Sequence, residues 1–536
     1  MKKSSKVLAV ILAFAMTFTT LLLPVYAATD VSSDAEQMLY KFVDGLVDAL
    51  VNGISAIIPD PDWVDVDDYE SKAFYAGSKE FIDTPEADAQ WKVGYSNASI
   101  QTGKELDGNH YVGGSLSVTK KVATKILDDQ KVRTVAISDG RGISIFSVID
   151  SYGLANSNVQ IIRERFQKYA DEKGLEIVSV NVSTLHQHSC IDTFGMNGDI
   201  LGALFLTPMK NLLGIEAPNG QNKEFMENLY TKTVDSMIEA VDNMETGKLY
   251  YGSVDIAEYI YDKRDPQVFD PELHRLRFVP DNEESDETWI VNGAIHCVGF
   301  GAGPTEITGD YPYFMEKYIN ENHDANFIFI QGAELAITTE KDNIVADPEY
   351  TAVFDEGYGK IAAYAKVLVD KLATITEEEE VAPIFNIAIK EIIMPVENSI
   401  LIVAANGGLL TNNVLKDGLF KYKLATEIGY CEFGTNLAVA LMPGELAPEI
   451  AFGGAMAADD EYNWTGDAWE FKPMNEACGD KEFIVFGLTN DQVGYILTDN
   501  NYHSYFTENE EIVSTGKNAG SIITDNYYKL LDEIAA

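Results

Sequence analysis

Four cysteines in 536 residues cannot frame a chain of this size with disulfides, so its stability has to come from a core. At 46% hydrophobic and 11% aromatic residues the chain can build a large one, as one big domain or two. Positive charge is also scarce. With 39 basic residues against 85 acidic and a net charge of −46, nucleic acid is excluded as a partner, and the excess acid reads as a solvated surface. Long apolar runs are missing beyond the N-terminus, where no segment reaches the ~18 continuous apolar residues that spanning a bilayer needs. No internal repeat or low-complexity block interrupts the chain.

What is present begins with Lys2, Lys3 and Lys6, an apolar run from Val7 to Leu23, Pro24, and Val25-Tyr-Ala-Ala28. These are the charged, apolar and small-residue parts of a secretory signal, so residues 1–27 are expected to be removed and the mature chain to be secreted to the extracellular space. An uncleaved anchor is the alternative. Residues 28–84 read as an amphipathic helix and an acidic linker. Met38, Leu39, Phe42, Val43, Leu46, Leu50, Ile54, Ile57 and Ile58 recur at helical spacing until Pro59-Asp-Pro61. Its polar face is acidic, which favours packing on the main body over lying on a membrane.

From Trp91 the pattern alternates. Strands are expected at Trp91–Tyr95, Val132–Ser138, Ser144–Ile149, Glu176–Val182, Arg275–Val279, Ile290–Val298, Ala325–Ile330, Ile400–Ala404, Asn436–Leu441 and Phe483–Leu488. Helices are expected at Ser157–Glu172, Gln221–Asn243, Pro312–Asn320, Glu349–Leu372 and Leu446–Ala455. Such alternation suits an α+β or layered α/β fold, mixed sheets covered by helices. Within it, the strand from Val178 ends in His186-Gln-His188-Ser189. Histidines at i and i+2 on extended backbone point the same way and can face one cation or one substrate, or can be a solvated strand end.

Several short motifs resemble, in order, the catalytic domain of neutral (non-lysosomal) ceramidases. They are Phe146-Ser-Val-Ile-Asp150-Ser-Tyr-Gly153, His186-Gln-His188-Ser189, Asp262-Lys263-Arg264 ahead of Asp270-Pro-Glu-Leu273, and Gly301-Ala-Gly303-Pro-Thr305. Gln331-Gly-Ala333, Met442-Pro-Gly-Glu445, Gly487-Leu-Thr-Asn490 and Gly494-Tyr495 follow. The resemblance implies a catalytic domain over residues 85–510, with 511–536 as its C-terminal extension. The immunoglobulin-like domain that commonly ends such proteins is expected to be missing, since only 41 residues follow Tyr495.

It also implies one Zn2+ per chain on His186, Glu445 and Tyr495, with Gly303 standing where the family has a fourth ligand, a histidine. Three protein ligands suffice for a catalytic zinc that keeps a position for water. His296 lies seven residues before Gly303, an odd separation that puts it on the opposite strand face unless a bulge intervenes, so His188 is the better substitute. Otherwise His188 is expected to contact substrate or move protons. Thr338 aligns with a serine to which the family assigns a catalytic role, Arg264 with a segment that contacts substrate or oxyanion, and Asp150 is either catalytic or a structural strand-end carboxylate. The implied activity is hydrolysis of an N-acyl sphingoid or related lipid amide, met at a membrane or micelle surface. The alternatives are a weak or inactive paralogue that binds lipid or another surface, and a hydrolase of another amide or ester.

Overall fold

In the strand Lys131–Ser138, Val135 and Ile137 point to one side, Val132 and Ala136 to the other, and all four are buried. A strand buried on both faces needs a layer on each side of its sheet, and that requirement sets the architecture. The computed structural model describes residues 34–55, 62–114, 120–198, 221–301, 303–419, 421–505 and 511–536. Residues 1–27, Ile57 and Ile58 therefore lie outside the described residues.

Among the described residues, a nine-stranded sheet runs in the order Ala325–Gln331, Glu287–Gly293, Glu272–Pro280, Glu245–Asp255, Trp91–Ser99, Lys131–Ser138, Ile143–Ile149, Ile177–Thr184, with Glu379–Val381 beside Glu245–Asp255. A six-stranded sheet runs Val64–Asp65, Asn413–Lys416, Tyr422–Phe433, Leu437–Leu441, Glu482–Phe486, with Phe385–Pro395 also paired to Tyr422–Phe433. Both are mixed. Ile143–Ile149 with Ile177–Thr184, Glu287–Gly293 with Ala325–Gln331, and Leu437–Leu441 with Glu482–Phe486 are parallel pairs in otherwise largely antiparallel sheets. Among the described residues no barrel closes, and the fold is α+β.

The two sheets meet over one core in which Val135, Ile137 and Phe146 pack with Phe385, Phe433 and Phe486. Behind the larger sheet, Val132, Ala136 and Ile145 pack on Val159, Ile162 and Phe166 of helix Asn156–Lys173 and on Phe225 and Leu229 of helix Lys223–Asp242. Helices Asp310–Asn322 and Glu356–Leu372 cover the other end of that sheet. Behind the smaller sheet, Ile428, Tyr430 and Val485 pack on Ile523 and Tyr527 of helix Ala519–Ala535. The sequence thus folds as helix, sheet, sheet, helix.

Several expected elements differ in kind or length: the helix expected at Glu349–Leu372 is broken into Pro348–Val353 and Glu356–Leu372, and the one expected at Leu446–Ala455 covers only Pro448–Phe452, after the short strand Glu445–Leu446. Ile400–Ala404 belongs to a helix, Ser399–Asn406, whose N-cap Asn398 accepts the Ile400 N–H at 2.9 Å. Five apolar residues carry no period that separates strand from helix, and the cap decides. The strand expected at Ile290–Val298 stops at Gly293, which matters for the site. The N-terminal helix, Asp34–Ser55, packs Tyr40, Val43 and Val47 on Val403 and Tyr505 of the main body.

Candidate metal centre

The chemistry-bearing side chains sit just past the C-terminal ends of strands from both sheets. Ile177–Thr184 leads to His186 and His188, Glu287–Gly293 to His296, Ala325–Gln331 to Glu334, Leu437–Leu441 to Glu445, and Glu482–Phe486 to Gln492 and Tyr495. Ligand sites of layered sheets form outside such strand ends. The connecting loops are strained there: His186, Ala336, Leu488 and Asn490 all have φ between +50° and +67°, the left-handed region that non-glycine residues rarely adopt. Asn490 is held by pairing with Val182, whose N–H donates to Asn490 Oδ1 at 2.9 Å.

His186, His296, Glu334 and Glu445 each offer a ligand atom within 4.8 Å of the others, and all four are buried. His186 Nδ1 lies 2.9 Å from the Tyr152 carbonyl, which can only accept, so Nδ1 carries the proton and Nε2 a lone pair. That Nε2 is 3.3 Å from Glu445 Oε2. His296 repeats the arrangement. Its Nδ1 is paired with the Glu334 carboxylate and its Nε2 lies 3.7 Å from the same Glu445 oxygen. Burial, then the neighbouring His296, lowers the His186 pKa to about 3, so no proton on Nε2 bridges the gap. The His186 Nε2 lone pair and a Glu445 carboxylate oxygen therefore face each other in a buried site beside His296 Nε2, where a cation resolves their repulsion. Imidazoles whose far nitrogens are fixed by a carbonyl and a carboxylate are the usual support of a metal ligand. The donor set fits a zinc-type ion.

Gln492 completes the wall. Its Oε1 accepts from the Gly494 N–H at 3.2 Å, which fixes the amide so that Nε2 donates to Glu445 Oε1 at 3.3 Å. His188 stands on the other side, its ring 4.7 Å from that of His186 and 5.2 Å from that of His296. Both its ring nitrogens are shielded from solvent and make no hydrogen bond among the described residues, and burial followed by the adjacent imidazoles pushes its pKa well below the usual histidine range. With His186 and His296 it forms a second possible donor group.

The other residues read from the sequence fall as follows. Tyr495 pairs with Glu445 across a two-stranded parallel ribbon, so the two are neighbours on adjacent backbones. Thr338 lies on Ile337–Thr339, antiparallel to Ile260–Asp262, and Ile337 O accepts the His296 N–H at 2.9 Å, which ties that strand to the site. Arg264 is bound to Asn501 Oδ1 at 3.1 Å and Glu511 Oε1 at 3.4 Å. Asp150 is taken on both oxygens, by Arg133 Nη1 at 2.7 Å and the Lys131 N–H at 2.8 Å. Gly303 has φ +136°, and a side chain built there meets Lys121 Nζ at 3.1 Å and no histidine within 4 Å.

His296, set aside on grounds of strand alternation, is in the group after all. The extended strand ends at Gly293, and beyond it the chain turns on bonds from His296 N to Ile337 O and from Val298 N to His296 O, both 2.9 Å. Alternation does not extend past a strand end. Glu334 is not among the residues read from the sequence; its one signal is that it is the lone charged residue between Ile328 and Ile337.

No protein-family model matches the chain, and no curated protein matches it. Solved structures do share its fold. The neutral ceramidase from Pseudomonas aeruginosa superimposes with a TM-score of 0.58 and 14% identity, over 83% of this chain and 74% of that one. A ceramidase complexed with C2 gives 0.57 and 14%, over 84% and 76%. At this identity the likeness concerns the fold, which is the ceramidase-like arrangement of mixed sheets and helices.

Proposed function

We propose that this chain is a metal-dependent amidohydrolase related to neutral ceramidases, cleaving the amide of an N-acyl sphingoid or similar lipid. The observation that carries the reading is the convergence of His186 Nε2 and His296 Nε2 on Glu445 Oε2 at 3.3 and 3.7 Å, in a fold shared with ceramidases. In this reading His186, His296 and Glu445 hold Zn2+, with Tyr495 at the neighbouring ribbon position. When bound, the ion supplies Lewis-acid polarisation of the amide carbonyl and lowers the pKa of water toward ~7. Tyr152 O and Glu334 keep the two imidazoles in the tautomer that presents Nε2, and Gln492 steadies Glu445.

His188 takes the proton that the attacking water loses and passes it to the amine nitrogen as the C–N bond breaks, a role open to it because its ring nitrogens are shielded and make no hydrogen bond among the described residues. Thr338 is assigned a supporting hydroxyl. Export with cleavage near Ala27 belongs to the same proposal, and the mass of the released chain checks it. Binding without turnover is the second reading; it is favoured by Arg264 and Asp150, which are committed to Glu511 and Arg133. Fatty-acid release from an N-acyl sphingoid lipid in detergent separates the two readings. Hydrolysis is expected, with loss on chelation and a fall of at least ~10 to 100-fold in Glu445→Gln. A zinc-loaded chain inert on ceramide and on simpler N-acyl amides and esters rejects the enzyme.

A further inference from the structure

The helix Asp34–Ser55 carries two apolar faces, and only one is used. Tyr40, Val43 and Val47 are buried against the main body, whereas Met38, Leu39, Phe42 and Leu46 are 71%, 56%, 69% and 37% exposed. Large apolar side chains grouped on one face of a soluble surface mark an interaction site. The polar residues of the helix explain the grouping. Asp44 and Asp48 turn inward, Asp44 accepting from Ser504 Oγ at 2.8 Å and Asp48 from Tyr505 Oη at 3.1 Å. Between Met38 and Ala49 the exposed positions are Met38, Leu39, Lys41, Phe42, Gly45, Leu46 and Ala49, so this face of a chain with net charge −46 bears one cation and no carboxylate.

We propose that this face docks on a lipid surface, with Met38, Leu39, Phe42 and Leu46 entering the acyl region and Lys41 extended to the headgroups. An amphipathic helix buries such a face at the boundary of headgroup and acyl chain, and a lysine beside it reaches back to the polar layer. A second copy of the chain fits less well, because seven residues fall short of the roughly 20–30 a side of a standard protein interface. Position also supports lipid. Tyr40 packs on Trp464, which stacks on His503 at 4.5 Å between ring centres, and His503 Nε2 lies 2.8 Å from the Tyr462 carbonyl. Tyr462 lines an open cleft of about 390 Å3 with Asp265, Pro266 and Met456. Two residues before Asp265, the Lys263 N–H bonds Ala336 O, in the loop that carries Glu334. The helix thus connects, through Trp464 and His503, to a residue that lines this cleft. The docking does not depend on turnover, since a chain that binds lipid and hydrolyses nothing satisfies it.

Gly45 offers a probe position, because a Cβ there meets nothing within 4 Å and the four native cysteines are buried. Gly45→Cys labelled with an environment-sensitive fluorophore, mixed with phosphatidylcholine vesicles carrying brominated acyl chains, should be quenched. A label at Val345→Cys, 88% exposed on a loop away from this helix, should not be. Adding Met38→Gln, Leu39→Gln, Phe42→Gln and Leu46→Gln to the Gly45→Cys chain should weaken the quenching-derived affinity at least ~10-fold with unchanged melting. Reading position 45 separates this face from any lipid binding by the apolar run Val7–Leu23. The proposal is overturned by a label at position 45 that bromine does not quench, by equal quenching in the four-glutamine variant, or by a lipid-free dimer that buries position 45.

Discussion

Asp150→Asn separates a structural carboxylate from a catalytic one, and the structure fixes the size of the effect. Arg133 is 1% exposed and bridges two carboxylates, Nη1 to Asp150 Oδ1 and Nη2 to Glu316 Oε2, both at 2.7 Å. Lys131 Nζ adds a contact to Glu316 at 3.1 Å, so two positive charges balance two negative ones in a nearly dry site. Asparagine keeps the shape and the acceptor for the Lys131 N–H but leaves one net positive charge buried. Breaking a buried pair costs about 3–5 kcal/mol, and because Glu316 still holds Arg133 the lower end, about 3 kcal/mol, is expected. A urea titration should show this as a lower midpoint at unchanged slope. Asp150→Asn combined with Glu316→Gln should cost more than the sum of the two, since both carboxylates serve one guanidinium. Refutation comes from a variant within ~0.5 kcal/mol of the parent whose hydrolysis or metal binding nevertheless falls a hundredfold; Asp150 then acts in the site.

Three further outcomes follow from the same geometry. Arg163→Met strands Glu427, which now accepts bidentate bonds at 2.6 and 2.9 Å with both side chains fully buried, and should cost about 3–5 kcal/mol in the same titration. Gly303→His should add no zinc affinity and should lower the melting temperature, because φ +136° disfavours a side chain and Lys121 occupies the space beside it; tighter zinc in a metal titration contradicts this. Burial pushes the Cys190, Cys297 and Cys431 thiols well above the ordinary range and raises that of Cys478, so a disulfide reagent should label the chain only as fast as it unfolds.

The layered fold was legible where short apolar runs were strong. Lys131–Ser138, Ile143–Ile149 and Ala325–Gln331 carry buried residues at nearly every position, and their apolar runs fall within a residue of their expected bounds. Strands Phe385–Pro395 and Tyr422–Phe433 escaped notice because charged residues interrupt them: Lys390 and Glu391 in one, Glu427 and Glu432 in the other, with Glu427 answered by Arg163 and Asn156, both distant in sequence. The His-x-His strand end was visible as a local pattern. His296 and Glu334 were not, since they reach the site by leaving their strands at Gly293 and Gln331, and what brings them together is the pairing of those two strands over their full length, Glu287–Gly293 on Ala325–Gln331. Local motif order marked Glu445 and Tyr495, but only the ribbon shows why they belong together.

His186, His296 and Glu445 are proposed to form a metal site. Its most direct test is the metal content of the dialysed chain by elemental mass spectrometry, beside His186→Ala, His296→Ala and Glu445→Gln, each checked for an unchanged fold by circular dichroism. Close to one zinc per parent chain is expected, with zinc largely lost in both histidine variants and held ~10 to 100-fold more weakly by Glu445→Gln. Sub-stoichiometric zinc in the parent, or zinc retained when His296 is removed, contradicts it.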